Sequence, residues 1–369
     1  MKFSIDQKVM KAALKKAFEI VNNKSDKVIL KGVQVIATED EIVLTGSDAK
    51  NSIKVIIPSE YIVSIEDTGS TVFPDRAKEI IDKLSGDLSI ETDGNNQTTI
   101  QTKKSSFEVN CWDASEFIKL PEIKSDPIVK LSSETFNNLV QKTAFSASTS
   151  ETRPILQAVK VDISKDGLSM IATDSHRLAN VIQPLEFDKE ELSFPVEALS
   201  LESMTKVFGS HDVEIYLEGE TQFIVKAGNT IFYSQLMNGN YPKLPPMNLS
   251  NFPSVVTLNR DEAIDCFEQI KIITKKKNNS GHTTFDFSGE TVSLKGIQAD
   301  AGKGTIDLDC IEHEGDPLRI NMNIEHVLQA LKNIDSDNVR FSLLGELKPY
   351  YITPTKSAFA QVNMLSPIR

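Results

Sequence analysis

Apolar positions along the chain switch between two periods, and the order of the switches repeats three times. The stretches 2–18, 130–145 and 257–273 each begin as a short strand and pass into helical spacing. Ser4, Ser132 and Asn259 stand where an N-cap is wanted, and Asp6, Glu134 and Asp261 follow as acids of the first turn. Phe3, Leu131 and Leu258, in the three strands, are 128 and 127 residues apart. A second marker keeps nearly the same period: Asp48, Asp174 and Asp300 are spaced by 126, each behind an alternating strand-like run such as 41–44 or 167–171. Two independent markers at one spacing predict three copies of one domain, over 1–125, 126–252 and 253–369.

Inside each copy the pattern predicts a second helix, over 74–84, 195–208 and 324–333. Strand-and-turn runs follow over 88–109, 213–236 and 339–362. Short turns such as Asp93-Gly94-Asn95-Asn96 favour antiparallel pairing, so each copy reads as α+β. Prolines mark the linkers, at Pro121 and at Pro242, Pro245 and Pro246. Solenoid repeats are shorter, at about 20–45 residues. Tandem copies of this size point instead to quasi-symmetry, and two chains whose domain contacts repeat between them give a closed ring of six domains.

Composition narrows the class. The 40% hydrophobic and 25% charged residues of the 369 belong to a globular protein, and no apolar run approaches the length of a membrane span. No signal peptide is read at the start. Cys111, Cys266 and Cys310 are odd in number and widely spaced, which suits free thiols in the cytoplasm. A protein that holds DNA through bulk phosphate neutralisation is normally basic, at least over its binding domain, whereas the net charge here is −12. The distribution of charge changes that picture. Lys8, Lys11 and Lys15 share one face of the first helix, and Lys16 adds to it with no acid between Lys8 and Lys16. The third repeat has Lys271 and then Lys275, Lys276 and Lys277, while the middle one offers Lys142. Such faces suit helices lining a channel for a polyanion, or simply a solvated surface.

Chemistry is sparse. There is no glycine-rich phosphate loop, no nucleophile elbow and no paired-cysteine metal site, and no cofactor is implied. Asp174 and His176, two apart, are the one pair suited to acid–base work or metal ligation. A hydrogen-bonded polar turn is the simpler reading of both. Gly302-Lys303-Gly304 reads as a turn.

The string Ala172-Thr173-Asp174-Ser175-His176-Arg177-Leu178-Ala179 resembles a segment of the bacterial DNA polymerase III beta subunit family, the sliding clamps. Met1-Lys2-Phe3, Arg153-Pro154-Ile155-Leu156, Tyr241-Pro242 and Pro367-Ile368-Arg369 resemble the same family, so the likeness runs the whole length. It implies three tandem clamp domains that close as a head-to-tail homodimer into a six-domain ring, with helices inside and antiparallel sheets outside. The ring would enclose duplex DNA without sequence preference, do no chemistry, and tether the replicative polymerase, a clamp loader and other proteins carrying the clamp-binding motif. Their peptides would enter a hydrophobic pocket of Leu156, Thr173, Ser175, His176, Arg177, Leu178, Pro242, Met247, Asn323, His326, Met364, Pro367 and Ile368. Methionines there would let it adapt to varied ligands. The resemblance places Phe107 and Val109 against Ile272 and Ile273 at the dimer contact, and Lys24 and Ser150 near DNA. Three positions depart from the family pattern: Ser175 replaces a usual glycine, Pro246 a sometimes basic residue and Ser366 a usual apolar one. Beside the clamp stand two other readings, an enzyme built on Asp174 and His176, and a monomeric interaction scaffold using the same pocket.

Overall fold

A computed structural model describes residues 1–219, 221–244, 247, 249–274, 282–298 and 301–368. Pro246, the Lys275, Lys276 and Lys277 run, Asp300 and Arg369 lie outside them. Each repeat runs strand, helix, three strands, a strand leading into a second helix, then three strands. The first and third repeats add one more strand, Ile62–Asp67 and Glu312–Gly315, before the second helix. All pairing is antiparallel. The described residues hold no helix long and apolar enough to cross a membrane. The three cysteines are free thiols.

The chain divides into two compact units, Met1–Phe136 with Leu199–Leu236, and Asn137–Ala198 with Met237–Arg369. The division splits the middle repeat because two sheets each cross a repeat boundary. In the first unit Asn51–Pro58 of the first repeat pairs with Thr230–Gln235 of the second, which makes one sheet of eight strands. In the second unit Arg177–Gln183 pairs with Ala360–Leu365, giving a sheet of nine strands. The first unit also has a five-stranded sheet that ends on Ser106–Asn110, and the second a four-stranded sheet that ends on Gly302–Asp309.

Local chemistry explains the helices. In Gln7–Ala17 the buried positions Gln7, Met10, Ala13, Leu14 and Ala17 form one stripe at helical spacing, while Lys8, Lys11 and Lys15 stay exposed. The N-cap is Asp6, whose carboxylate accepts the Lys8 N–H at 2.8 Å, and Ser4 lies two residues earlier in the strand. This corrects the repeat's register. Asp6, Ser132 and Asn259 correspond, and the strand residue before each cap is Ile5, Leu131 and Leu258. The second helix of the middle repeat starts at Ala198 instead of 195, because Pro195 belongs to a strand and stands opposite Lys160. The basic faces are also narrower than the sequence implied: Lys142 is buried, and Lys271 is paired with Glu325 at 2.8 Å.

The helices Gln7–Ala17 and Arg260–Thr274 each pack on a sheet face. In the third repeat Phe267 of the helix Arg260–Thr274 meets Phe285 edge-on, with ring centroids 5.2 Å apart, and Phe341 at 6.3 Å. Asp6→Ala is expected to lower the unfolding free energy by about 1 kcal/mol in urea titrations. Ser4→Ala should leave it within about 0.5 kcal/mol, as for a residue that caps nothing.

Candidate functional site

A cleft of about 910 Å3 lined mostly by polar side chains lies in the second unit. Leu156, Ser175, His176, Arg177 and His326 of the expected pocket line it. The hairpin turn between Gly167–Thr173 and Arg177–Gln183 forms one wall. Asp174 builds that turn, its Oδ1 accepting the N–H groups of His176 at 2.9 Å and Arg177 at 3.0 Å. Ser175 then adopts φ +79°, and in the first repeat Asp48 makes the same turn, with Ala49 at φ +81°. The repeated aspartate is therefore a turn-former. Its other oxygen accepts Arg177 Nε at 2.9 Å, so the carboxylate is committed to the turn and to one guanidinium.

Arg177 is the centre of the cleft wall. Its Nη2 donates to the Phe145 carbonyl at 2.7 Å, its Nη1 to Gln329 Oε1, and the guanidinium lies 5.5 Å from the Phe145 ring centroid. Burial lowers its pKa against the opposing pull of Asp174, and it remains a cation. Three of its donors thus brace the wall, which leaves fewer for a ligand than the sequence implied. His326 projects from the helix Ile324–Lys332. Burial above all pushes its imidazole down to about 4, with Arg177 and His176 adding to the shift and Asp174 and Glu325 opposing it. At neutral pH the cleft thus holds a neutral imidazole beside a fixed cation.

Other expected pocket residues adjoin this wall without lining it. Leu178 stands opposite Thr173 on one side and Met364 on the other. Thr173 Oγ1 donates to the Arg177 carbonyl at 2.6 Å. Asn323 caps the helix that carries His326. The C-terminal tail is fixed by Ser366 N–H on the His176 carbonyl and Ile368 N–H on the Asn321 carbonyl, each 2.9 Å, which holds Pro367 near the turn. Pro242 is exposed and Met247 half-buried, and neither lines the cleft. Beside Pro242, half-buried Tyr241 donates to the Ile171 carbonyl at 3.3 Å, and burial raises its phenol pKa.

Sequence reasoning missed Phe145, Arg153, Asp174 as a wall-former, Glu325 and Gln329. Gln329 had a usable signal, since it follows His326 by three on one helical face. Ser150, expected near DNA, lines this same cleft. Lys8, Lys15 and Lys24 are exposed in the first unit, and Lys11 lies 3.7 Å from Asp82 Oδ1. Phe107 is 42% exposed and Ile272 74%, whereas Val109 is buried and Ile273 half-buried. The described residues contain no cluster of metal ligands.

Models of three protein families match in series: the N-terminal domain of the DNA polymerase III beta subunit over 1–121, its central domain over 130–243 and its C-terminal domain over 249–367. The beta sliding clamp of Staphylococcus aureus is 30% identical, with 100% of this chain and 99% of the relative covered. That of Staphylococcus epidermidis shows the same identity and coverage. Among solved structures, the DNA polymerase sliding clamp of Bacillus subtilis superposes with a TM-score of 0.93 at 29% identity, over 100% of this chain and 99% of that one. The beta subunit of Streptococcus pyogenes, at 24% identity and full coverage of both chains, shares the fold with a TM-score of 0.94.

Ser175→Gly is expected to raise stability by roughly 0.5–1 kcal/mol in denaturant titrations. It relieves a left-handed conformation at a smaller cost in unfolded-chain entropy. His326 gives a pH dependence. Folding holds its pKa below the ordinary 6.5, so the unfolded chain binds the extra proton and the contribution is lost as pH falls from about 6.5 toward about 4. In thermal melts across that window, His326→Gln should show a shallower fall in Tm than the wild type.

Proposed function

The chain belongs to the DNA polymerase III beta subunit family, and from that membership we propose that two copies close head to tail into a ring of six domains around duplex DNA. It is a DNA sliding clamp, a non-catalytic processivity subunit. We keep the repeat boundaries near 125 and 252: the first falls between the matches that end at 121 and begin at 130, and the second lies three residues past the start of the C-terminal match at 249.

One observation carries the ring. Asn51–Pro58, Arg177–Gln183 and Gly302–Asp309 occupy the same place in the three repeats, as do Ser106–Asn110, Thr230–Gln235 and Ala360–Leu365. The first junction pairs Asn51–Pro58 with Thr230–Gln235, and the second pairs Arg177–Gln183 with Ala360–Leu365. Gly302–Asp309 and Ser106–Asn110 are left over, and each is the open edge of its sheet. An unpaired edge exposes a row of backbone donors and acceptors. Pairing these two between copies joins the five- and four-stranded sheets into one of nine strands, the size of the sheet at the second junction.

The register follows from the other junctions. Phe232 stands opposite Ile53, and Asn363 opposite Ala179. Phe107 holds the place of Phe232 and Asn363, which are 0% and 1% exposed, yet Phe107 itself is 42% exposed. Gly304 holds the place of Ile53 and Ala179. A side chain there would meet Ile270 Cδ1 at 3.1 Å and Ile273 Cγ1 at 3.4 Å, so glycine leaves room for the Phe107 ring beside those isoleucines. This supports placing Phe107 against Ile273 at the contact between copies.

In this reading Lys8, Lys15 and Lys24 meet phosphates, and the cleft around Arg177 and His326 receives peptides from the polymerase, the loader and other clamp-binding proteins. Leu156 supplies its apolar side, and the Leu178–Met364 pair adjoins it. Light scattering after gel filtration should give twice the chain mass of 40.9 kDa for the native protein and the single-chain mass for Phe107→Asp. Loaded on nicked circular DNA, the native protein should co-elute with the circle and be lost on linearisation. A native monomer, or equal retention on circular and linear DNA, would sink enclosure and favour the scaffold.

A further inference from the structure

The first and second junctions treat one lysine differently. Counted from the caps Asp6 and Ser132, Lys16 and Lys142 hold the same helical position. Lys142 is 1% exposed, and the next repeat completes its surroundings: Asp335 pairs with the ammonium, and the Phe359 ring centroid lies 5.8 Å from it. A carboxylate and an aromatic face are what a buried ammonium requires. Phe359 comes from the loop joining Tyr350–Pro354 to Ala360–Leu365.

At the first junction the corresponding loop is only the two-residue turn Gly228-Asn229, between Gln222–Ala227 and Thr230–Gln235. That turn brings neither a ring nor an acid. Lys16 is half-buried and donates to Thr230 Oγ1 at 3.1 Å, and burial lowers its pKa. The space filled by Phe359 and Asp335 in the second unit is here an open cleft of about 470 Å3, within the roughly 300–1,000 Å3 typical of ligand sites. Val55 and Ile57 give it an apolar floor, Tyr61 is 53% exposed at its edge, and Lys8 and His211 add basic groups. None of the described lining residues is acidic.

We propose that this cleft binds an acidic, aromatic peptide segment of a partner protein, its ring taking the place of Phe359 and its carboxylate pairing with Lys16 as Asp335 pairs with Lys142. The apolar floor favours such a peptide over a sugar-phosphate strand, which has no side chain to fill it. The site is distinct from the cleft around Arg177.

The test is fluorescence anisotropy with a fluorescein-labelled Gly-Ser-Asp-Phe-Asp-Gly-Ser peptide and the full chain. Saturable binding is expected, weakened at least about tenfold by Lys16→Met, which keeps the aliphatic stem and removes the charge. Ala12→Phe, which fills the cleft from an exposed helical position, should weaken it equally, as should Asn in place of both peptide aspartates. Arg177→Ala should leave it unchanged. Absence of saturable binding, or binding indifferent to both Lys16→Met and Ala12→Phe, overturns the proposal. So does displacement of the peptide by a 20-base-pair duplex whose own binding falls in Lys16→Met, since the cleft would then be a phosphate site.

Discussion

An antiparallel strand edge has to be paired, covered or blunted, and this constraint organises the molecule. Each repeat presents two such edges at equivalent places, and the repeats satisfy them against one another. The ladders from Thr230 opposite Val55 and from Arg177 opposite Leu365 make the repeats inseparable, which is why the compact units cut through the middle repeat instead of between repeats. The third pair of edges has no strand partner among the described residues. Extending the same ladder to a second copy adds no new kind of contact, only one more instance of the contact already made twice. Head-to-tail contacts of this sort close into a ring when the rotation at each junction divides a full turn, and otherwise run on as a filament. Three domains and a twofold axis are the combination the proposed ring uses.

Equivalent positions have then been put to different uses. The aspartate turn is kept in two repeats because it solves a backbone problem, closing a tight hairpin with one carboxylate on two N–H groups. In the first repeat the turn carries Ala49 and Lys50; in the second it carries Ser175, His176 and Arg177 and becomes a cleft wall. Arg177 acts there mainly as a brace. Its hold on Asp174, the Phe145 carbonyl and Gln329 links the turn, the end of one helix and the face of another, so the cleft keeps its shape without a ligand. Burial keeps His326 neutral, and the brace adds to this, because a second cation beside a buried guanidinium is disfavoured.

Much of this was legible in the sequence, for identifiable reasons. The repeat showed because caps and turns are local: Ser132, Asn259 and the aspartates need only their own neighbours. The first cap was misplaced from Asp6 to Ser4 because the strand before it is longer, and strand length is decided by a partner, Asp87–Thr92, that lies far along the chain. The extra strands Ile62–Asp67 and Glu312–Gly315 were not read at all. Each is an edge strand with little of the alternation that a buried face imposes. In the site, Leu156, Ser175, His176, Arg177 and His326 came through the family resemblance, whereas Phe145 meets Arg177 only through the folding of the middle repeat, and Gln329 only once two repeats share a sheet. Lys142 misled for the same reason. Nothing in its own helix distinguishes a solvated lysine from one buried against Asp335 and Phe359.

The acidic total of the chain bears on how a ring would hold DNA. Affinity from phosphate contacts rises with each counterion released, and a protein making many such contacts is held tightly at low salt. A ring that encloses the duplex needs none of that affinity to stay on, and strong contacts would oppose sliding. Here Lys11 is already drawn toward Asp82 and Lys271 is tied to Glu325, so the basic faces are thinned by the protein's own carboxylates. The lysines that remain exposed on the first helix, apart from Lys11, are Lys8 and Lys15. The net charge of −12 is thus what topological retention permits, and a binder that relied on direct contact would not tolerate it.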